Sequence, residues 1–166
     1  PVYPFRETFE KMAGRDVDFW GITKHNKMDE DIFGINPYGY MPEHIQSHFM
    51  VYRKKLLCSK EFQNYWDNFR KVSNYRDSVG YHESYFTKYF SDLGYKWDVS
   101  VDVDDLQDMS DNLGFYCIRE LIEKRRCPIF KRRAFFHDYG QFLETTAGQV
   151  VFELYKYLEE NELYDT

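Results

Sequence analysis

Residues 16–23 read Asp-Val-Asp-Phe-Trp-Gly-Ile-Thr. Val17, Phe19, Trp20 and Ile22 are β-branched or aromatic, so the segment is predicted to be a strand. Upstream, Phe5, Phe9 and Met12 fall on one face of a helix that Gly14 ends. A helix running straight into a strand points to an α/β fold, helix-rich with a small mixed sheet. The first residue is Pro1 rather than Met, and this helix starts almost at once, so the chain is expected to begin inside a larger protein.

Downstream, the stretch from Lys24 to Gln46 carries Gly34, Pro37, Gly39 and Pro42 among scattered charges and reads as one long loop. Long loops within compact domains are usually functional, which puts a site near it. Ser47 to Leu57 holds the continuous apolar run Phe49, Met50, Val51, Tyr52, the pattern of an interior strand covered on both faces. Ser59 is placed to cap a helix that carries Phe62, Tyr65, Trp66 and Phe69 to about Lys71. A second helix, with Ser78 near its start, lines up Tyr81, Tyr85, Phe86, Tyr89, Phe90 and Leu93 before Gly94 closes it. A short strand near 95–101, a helix over about 112–124 and a C-terminal helix capped by Thr146 complete the pattern. No repeat or low-complexity tract interrupts it, so residues 1–166 are expected to form a single domain.

Composition narrows the function. The chain has 166 residues, 43% hydrophobic and 20% aromatic, enough apolar material for a core and too much for a disordered segment. No run approaches the roughly 18 apolar residues that span a bilayer, and no secretory leader pattern is visible. The three cysteines, Cys58, Cys117 and Cys127, match no zinc or disulfide framework, which suits reduced thiols in cytoplasm. A net charge of −6 argues against a nucleic-acid partner. Six aspartates between Asp98 and Asp111 read as a solvated loop and lack the glycine and terminal glutamate of a calcium loop.

Three places could carry chemistry. Trp20-Gly21 lies at the carboxyl end of the predicted strand, where ligands of open α/β sheets bind, and an indole face suits a sugar ring. The other reading makes Trp20 core and Gly21 a turn. In Gly-Tyr-His-Glu-Ser (80–84), at 100° per residue, His82 falls mid-stripe among the aromatics, whereas Glu83 falls just past the edge. Glu83 can therefore reach a cleft and act as a base, or it can simply stabilise its own helix start. His82 reads best as a hydrogen-bonded core residue. Finally, two basic triplets, Lys124-Arg125-Arg126 and Lys131-Arg132-Arg133, could hold a diphosphate, the second being better placed after Pro128. A solvated basic face touching a membrane surface is the alternative.

Four stretches, in order along the chain, resemble the bacterial rhamnan synthesis F family of cell-wall and lipopolysaccharide glycosyltransferases. They are Asp-Val-Asp-Phe-Trp-Gly-Ile-Thr (16–23), His-Ile-Gln-Ser-His-Phe-Met-Val-Tyr-Arg-Lys (44–54), Gly-Tyr-His-Glu-Ser-Tyr-Phe (80–86) with Gly94-Tyr95, and Cys-Pro-Ile-Phe-Lys-Arg (127–132). The resemblance implies a partial GT-A-like sandwich, the fold of nucleotide-diphospho-sugar transferases. These residues would be its acceptor-side part, with the nucleotide-binding half upstream. It implies Glu83 as the catalytic base, flanked by His82 and Ser84 where a second acid is common. Trp20, Gly21, Gln46, Ser47 and His82 would bind substrate, and Lys131 with Arg132 would face phosphate. The implied partners are a nucleotide-sugar donor such as dTDP-rhamnose and a glycan or lipid-linked glycan acceptor, with no nucleic acid. A divalent ion, Mg or Mn, is implied in an upstream acidic motif, with none held by these residues. The setting would be the cytoplasm or the inner face of the membrane. The rival reading is a non-catalytic glycan-binding or assembly module whose aromatic surplus stacks sugars.

Overall fold

The computed structural model describes residues 1–109, 113–131 and 146–163. They form two compact units, one of Gly14–Ser100 and one joining Pro1–Ala13 to the segment from Val101 onward. Both are described separately below.

In the Gly14–Ser100 unit, β1 (Phe19–Gly21) is the middle strand of a three-stranded mixed sheet. It pairs antiparallel with β4 (Met50–Tyr52), Trp20 opposite Val51, and parallel with β5 (Trp97–Val99), Trp20 opposite Asp98. All three β1 residues are buried, whereas β4 is half-buried. The interior strand is thus β1 and the apolar run 49–52 is an edge, because one neighbour only supplies its ladder. That run does not continue as a strand to Leu57 either, since Lys54–Leu57 turns into a short helix, α2. Asp18 ties the sheet together from a buried position. Its carboxylate accepts from the Lys96 N–H and the Lys55 Nζ, each at 2.9 Å, while its carbonyl accepts from the Arg53 N–H at 2.8 Å.

The stretch after β1 is more ordered than a loop. β2 (Lys24–His25) and β3 (His44–Ile45) pair antiparallel, and a bridge joins Met28 to Met41. The turn between them is built by Asp31, whose carboxylate collects the N–H groups of Phe33, Ile35 and Asn36 at 3.0, 2.5 and 2.5 Å. Burial pushes that carboxyl up, but the backbone donors outweigh it and hold it below the usual carboxylate range. Gly34 and Gly39 take φ of 67° and 73°, the left-handed geometry these turns need.

Helix α3 (Lys60–Asp67) starts at Ser59, whose hydroxyl accepts from the Phe62 N–H at 3.1 Å, as its position predicts. The aromatic helix starts earlier than Ser78. It comprises α4 (Tyr75–Ser78), capped by Asn74, then a π-helical turn Val79–Glu83, then α5 (Ser84–Asp92). The core forms where α3 and α5 meet the sheet, around Phe19, Ile45, Phe62, Phe86, Phe90 and Val99.

Gly21 is needed for close approach. A Cβ there would stand 2.1 Å from Ile45 Cγ2 and 3.1 Å from the Phe49 carbonyl oxygen, neither of which is a freely moving chain end. We expect Gly21→Ala to cost about 1–3 kcal/mol by overpacking. A denaturant midpoint equal to wild type would show that β3 can step aside.

In the other unit, α1 (Phe5–Ala13) is present as its periodicity predicts. A 3₁₀ segment spans Asp104–Met109, so part of the aspartate run is helical, and Asp98 of the same run lies on β5. The helix expected over 112–124 is interrupted, giving α6 (Leu113–Tyr116) and α7 (Ile118–Glu123) around Cys117. The C-terminal α8 runs Thr146–Glu160 and packs Val151, Leu154 and Leu158 inward. Tyr3 donates to the Ile122 carbonyl at 3.1 Å, and the Val2 N–H donates to the Pro128 carbonyl at 2.7 Å. The cysteines are free thiols, and burial pushes Cys127 up to about 11. Among the described residues no helix is long and apolar enough to cross a membrane.

Candidate functional site

Glu83 ends the π-helical turn, and the turn has visible causes. The Ser84 N–H bonds the carbonyl of Val79, five residues back, and the Ser84 hydroxyl donates to the same carbonyl at 2.8 Å. The Asn36 amide then donates to the Ser84 oxygen at 2.8 Å, bringing the 26–43 segment onto the turn. Gly80 makes room for it, since a Cβ there would lie 2.5 Å from Ile35 Cγ1. Such turns are rare within α-helices and gather at functional sites.

One turn along α5, the Thr87 hydroxyl accepts from the Ile45 N–H at 3.0 Å, fixing β3 to the helix. Ser47 follows two residues later and meets Glu83, which sits four residues before Thr87 on the same helix face. The Ser47 N–H donates to Glu83 Oε2 at 3.0 Å, and the Ser47 hydroxyl donates to that same oxygen. Gln46 is held beside it, its side-chain oxygen accepting from the Thr23 hydroxyl at 2.7 Å and its N–H donating to the Thr23 carbonyl at 3.0 Å. Three of the residues picked out in the sequence, Gln46, Ser47 and Glu83, therefore stand together. The Glu83 side chain is 22% exposed, its Oε2 fixed by Ser47.

Sequence reading missed the histidine pair behind this carboxylate. The His44 and His25 rings stack at 5.3 Å and 8°. His44 is 2% exposed, and its Nδ1 lies 2.6 Å from the Pro42 carbonyl, which can only accept, so Nδ1 carries the hydrogen. Its Nε2 faces Glu83 Oε1 at 4.0 Å. The spacing alone would admit an ion pair, but burial holds the imidazole below its ordinary value, against the pull of Pro42 and Glu83. We take it as neutral, with a lone pair turned toward the carboxylate. An unfolded histidine protonates near pH 6.5, whereas this one does so only at lower pH. The unfolded state then binds the proton first, so His44 contributes stability above about pH 6.5 that is lost as pH falls. Urea titrations between pH 7.5 and 5.5 should show a slope that drops by up to about one proton in His44→Gln. An unchanged slope would mean that His44 titrates as freely folded as unfolded.

The other selected residues stand elsewhere. Trp20 is 2% exposed and packs at 5.9 Å on Phe49, so its indole offers no open face for a sugar. It is a core residue, because β1 is covered on both sides. His82 points to the α3 side of the helix rather than toward Glu83. It stacks on Phe69 at 3.7 Å, its Nε2 donates to the Arg70 carbonyl at 2.6 Å, and its Nδ1 lies 3.3 Å from the Tyr65 hydroxyl. With both nitrogens engaged it positions the chain after α3. Lys131 lies in the other unit, its side chain 3.5 Å from the place a Cβ on Gly114 would occupy, and Arg132 lies outside the described residues. The first basic triplet is consumed internally. Lys124 pairs with Glu120 at 2.8 Å, Arg125 with Asp105 at 2.7 Å and Arg126 with Glu7 at 2.8 Å.

Among the described residues, no three His, Cys, Asp or Glu side chains are grouped to hold a metal. The divalent ion that the resemblance implies was placed in an upstream acidic motif and not on these residues, and no step below depends on one.

The site thus presents one carboxylate from a π-helical turn, beside a helix lined mostly by tyrosines. The model of rhamnan synthesis protein F matches residues 1–166, and the chain belongs to that family, whose role is in polysaccharide biosynthesis. No curated protein and no solved structure matches.

Proposed function

We propose that the chain serves glycosyl transfer, moving a sugar from a nucleotide-sugar donor, dTDP-rhamnose being the candidate, to a hydroxyl of a growing glycan, within a GT-A-like enzyme. The observation that carries this is the Glu83 carboxylate, held through Oε2 by Ser47 and partly exposed. Its Oε1, which no hydrogen bond among the described residues claims, can accept the proton of an acceptor hydroxyl as that oxygen attacks the anomeric carbon. The bond from the anomeric carbon to the diphosphate oxygen breaks, and the nucleoside diphosphate leaves with its electron pair. Neutral His44 forms no ion pair with the carboxylate, so Oε1 is not committed to a charged partner there. Orientation comes from β3, which carries Gln46 and Ser47 past the turn on a backbone fixed by Thr87 and Thr23.

The test is direct transfer. The full-length protein, given dTDP-rhamnose and a short rhamnose oligosaccharide, should lengthen the acceptor by one deoxyhexose in a mass spectrum. An acceptor of unchanged mass with every nucleotide-sugar donor offered would favour the non-catalytic glycan-binding reading instead.

A further inference from the structure

The π-helical turn and α5 together serve two sides. Glu83, Ser84 and Thr87 meet β3 and the segment around Asn36, whereas Tyr81, His82, Tyr85 and Tyr89 lie toward α3, with Pro37 and Tyr38 beside Tyr85. On that second side lies a cavity of about 400 Å³, within the size range of small-ligand clefts. Its wall is a set of flat rings. Tyr65 and Tyr85 lie nearly parallel at 6.4 Å and 16°, and Tyr85 and Tyr89 at 5.3 Å and 27°. Arg70 covers Tyr81 at 3.7 Å, and the Phe69–His82 stack closes one end. The rim is polar, with the side chains of Asn64 and Asn68 exposed above the tyrosines. No described residue hydrogen-bonds the hydroxyls of Tyr81, Tyr85 or Tyr89, or the side-chain amide of Asn64.

We propose that this tyrosine-walled cavity between α3 and α5 binds a saccharide chain, as a subsite distinct from Glu83. A pyranose ring carries an apolar face of C–H groups and an equatorial rim of hydroxyls. The first stacks on an aromatic ring and the second needs donors and acceptors beside it. Rings with unclaimed hydroxyls, edged by amides, match both demands. An acyl chain would leave those hydroxyls and amides unmatched, and no cluster of cations lines the cavity to draw a phosphate. Tyr81 and Tyr85 lie two residues before and two after Glu83, ~3 Å along a helical axis, so a glycan held on the tyrosines has its end delivered to the same helix. The chain thus grips an acceptor away from its reacting hydroxyl, across the helix from Glu83, and length of acceptor becomes a determinant of binding.

The inference rests on the proposed glycan-handling function, and the experiment separates the two. Calorimetry on the full-length protein would compare a rhamnose oligosaccharide with free rhamnose as probes. The oligosaccharide should bind the wild type, and Tyr85→Ala and the exposed Asn64→Ala should each weaken it roughly tenfold while leaving free rhamnose unaffected. Asn64→Ala guards against a folding artefact, since its side chain supports nothing else in the described residues. Absence of oligosaccharide binding to wild type, or equal affinity in both variants, overturns the subsite. Loss in these variants of binding to phosphatidylglycerol vesicles but not to oligosaccharide would also overturn it, in favour of a lipid surface. If Glu83→Gln binds the oligosaccharide normally and also transfers sugar normally, the base assignment fails while the subsite stands. If Glu83→Gln is inactive and Tyr85→Ala binds normally, the reverse holds.

Discussion

Replacing Glu83 with Gln in the full-length protein is expected to lower sugar transfer by about a hundredfold or more, because a positioned base typically supplies that much. The substitution keeps volume and keeps an oxygen that can accept from the Ser47 N–H and hydroxyl. What it removes is the second oxygen's ability to take a proton. Stability should stay within about 0.5 kcal/mol of wild type, as for a substitution that leaves packing and partners in place. Oligosaccharide affinity should also persist, since the tyrosine side of α5 is untouched. A loss of transfer below tenfold with the fold intact would remove Glu83 from the chemistry and leave the Ser47 contact as a strut between β3 and α5.

The largest effect on stability is expected at Phe90. It is fully buried and meets Phe86 at 4.6 Å, Tyr89 at 5.0 Å, Tyr65 at 5.5 Å, Phe62 and Tyr95 at 5.9 Å and Phe19 at 6.3 Å. These neighbours come from β1, α3, α5 and the turn before β5, so they cannot all move inward to fill a void. Phe90→Ala should therefore cost about 3–5 kcal/mol, a large share of the roughly 5–15 kcal/mol that domains have in reserve. A lower urea midpoint at unchanged slope would report it. A shift under about 1 kcal/mol would mean that the aromatic cluster is loosely packed and repacks around the gap. The same loss should loosen the cavity wall, because Tyr65 and Tyr89 lean on this ring.

The sequence exposed the helices best, because apolar side chains recur at helical spacing whatever they pack on. Phe5, Phe9 and Met12, then Phe62 and Tyr65, marked α1 and α3, and Ser59 announced the start of α3 by its chemistry. The strands were harder. A run such as Phe49 to Tyr52 says that side chains are apolar, not how many neighbouring strands the backbone finds, and β1 rather than β4 proved interior. The pairing of β2 with β3 was hidden, since two-residue strands have no period and their register comes from Asp31 and the turn it builds. At the site, helical spacing singled out Glu83 and the family resemblance named Gln46 and Ser47, and the fold brings Ser47 onto Glu83 with Gln46 beside it. For Trp20 the sequence left core and sugar platform both open, because an indole at a strand end looks alike whether a sheet covers it or a ligand does, and the structure makes it core. His44 was missed for a related reason: its neutrality follows from burial, against the pull of Pro42 and Glu83, and burial leaves no spacing in the sequence. The π-helical turn was invisible to a fixed 100° step, since Ser84 widens the helix by bonding Val79.

The most direct measurement is a structure of the full-length protein holding an oligosaccharide acceptor. With the chain lying on Tyr85 and its neighbours, the account predicts the reactive hydroxyl oxygen within roughly 2.6–3.2 Å of a Glu83 carboxylate oxygen. An acceptor bound with every hydroxyl beyond the reach of Glu83, even through one water, would contradict it.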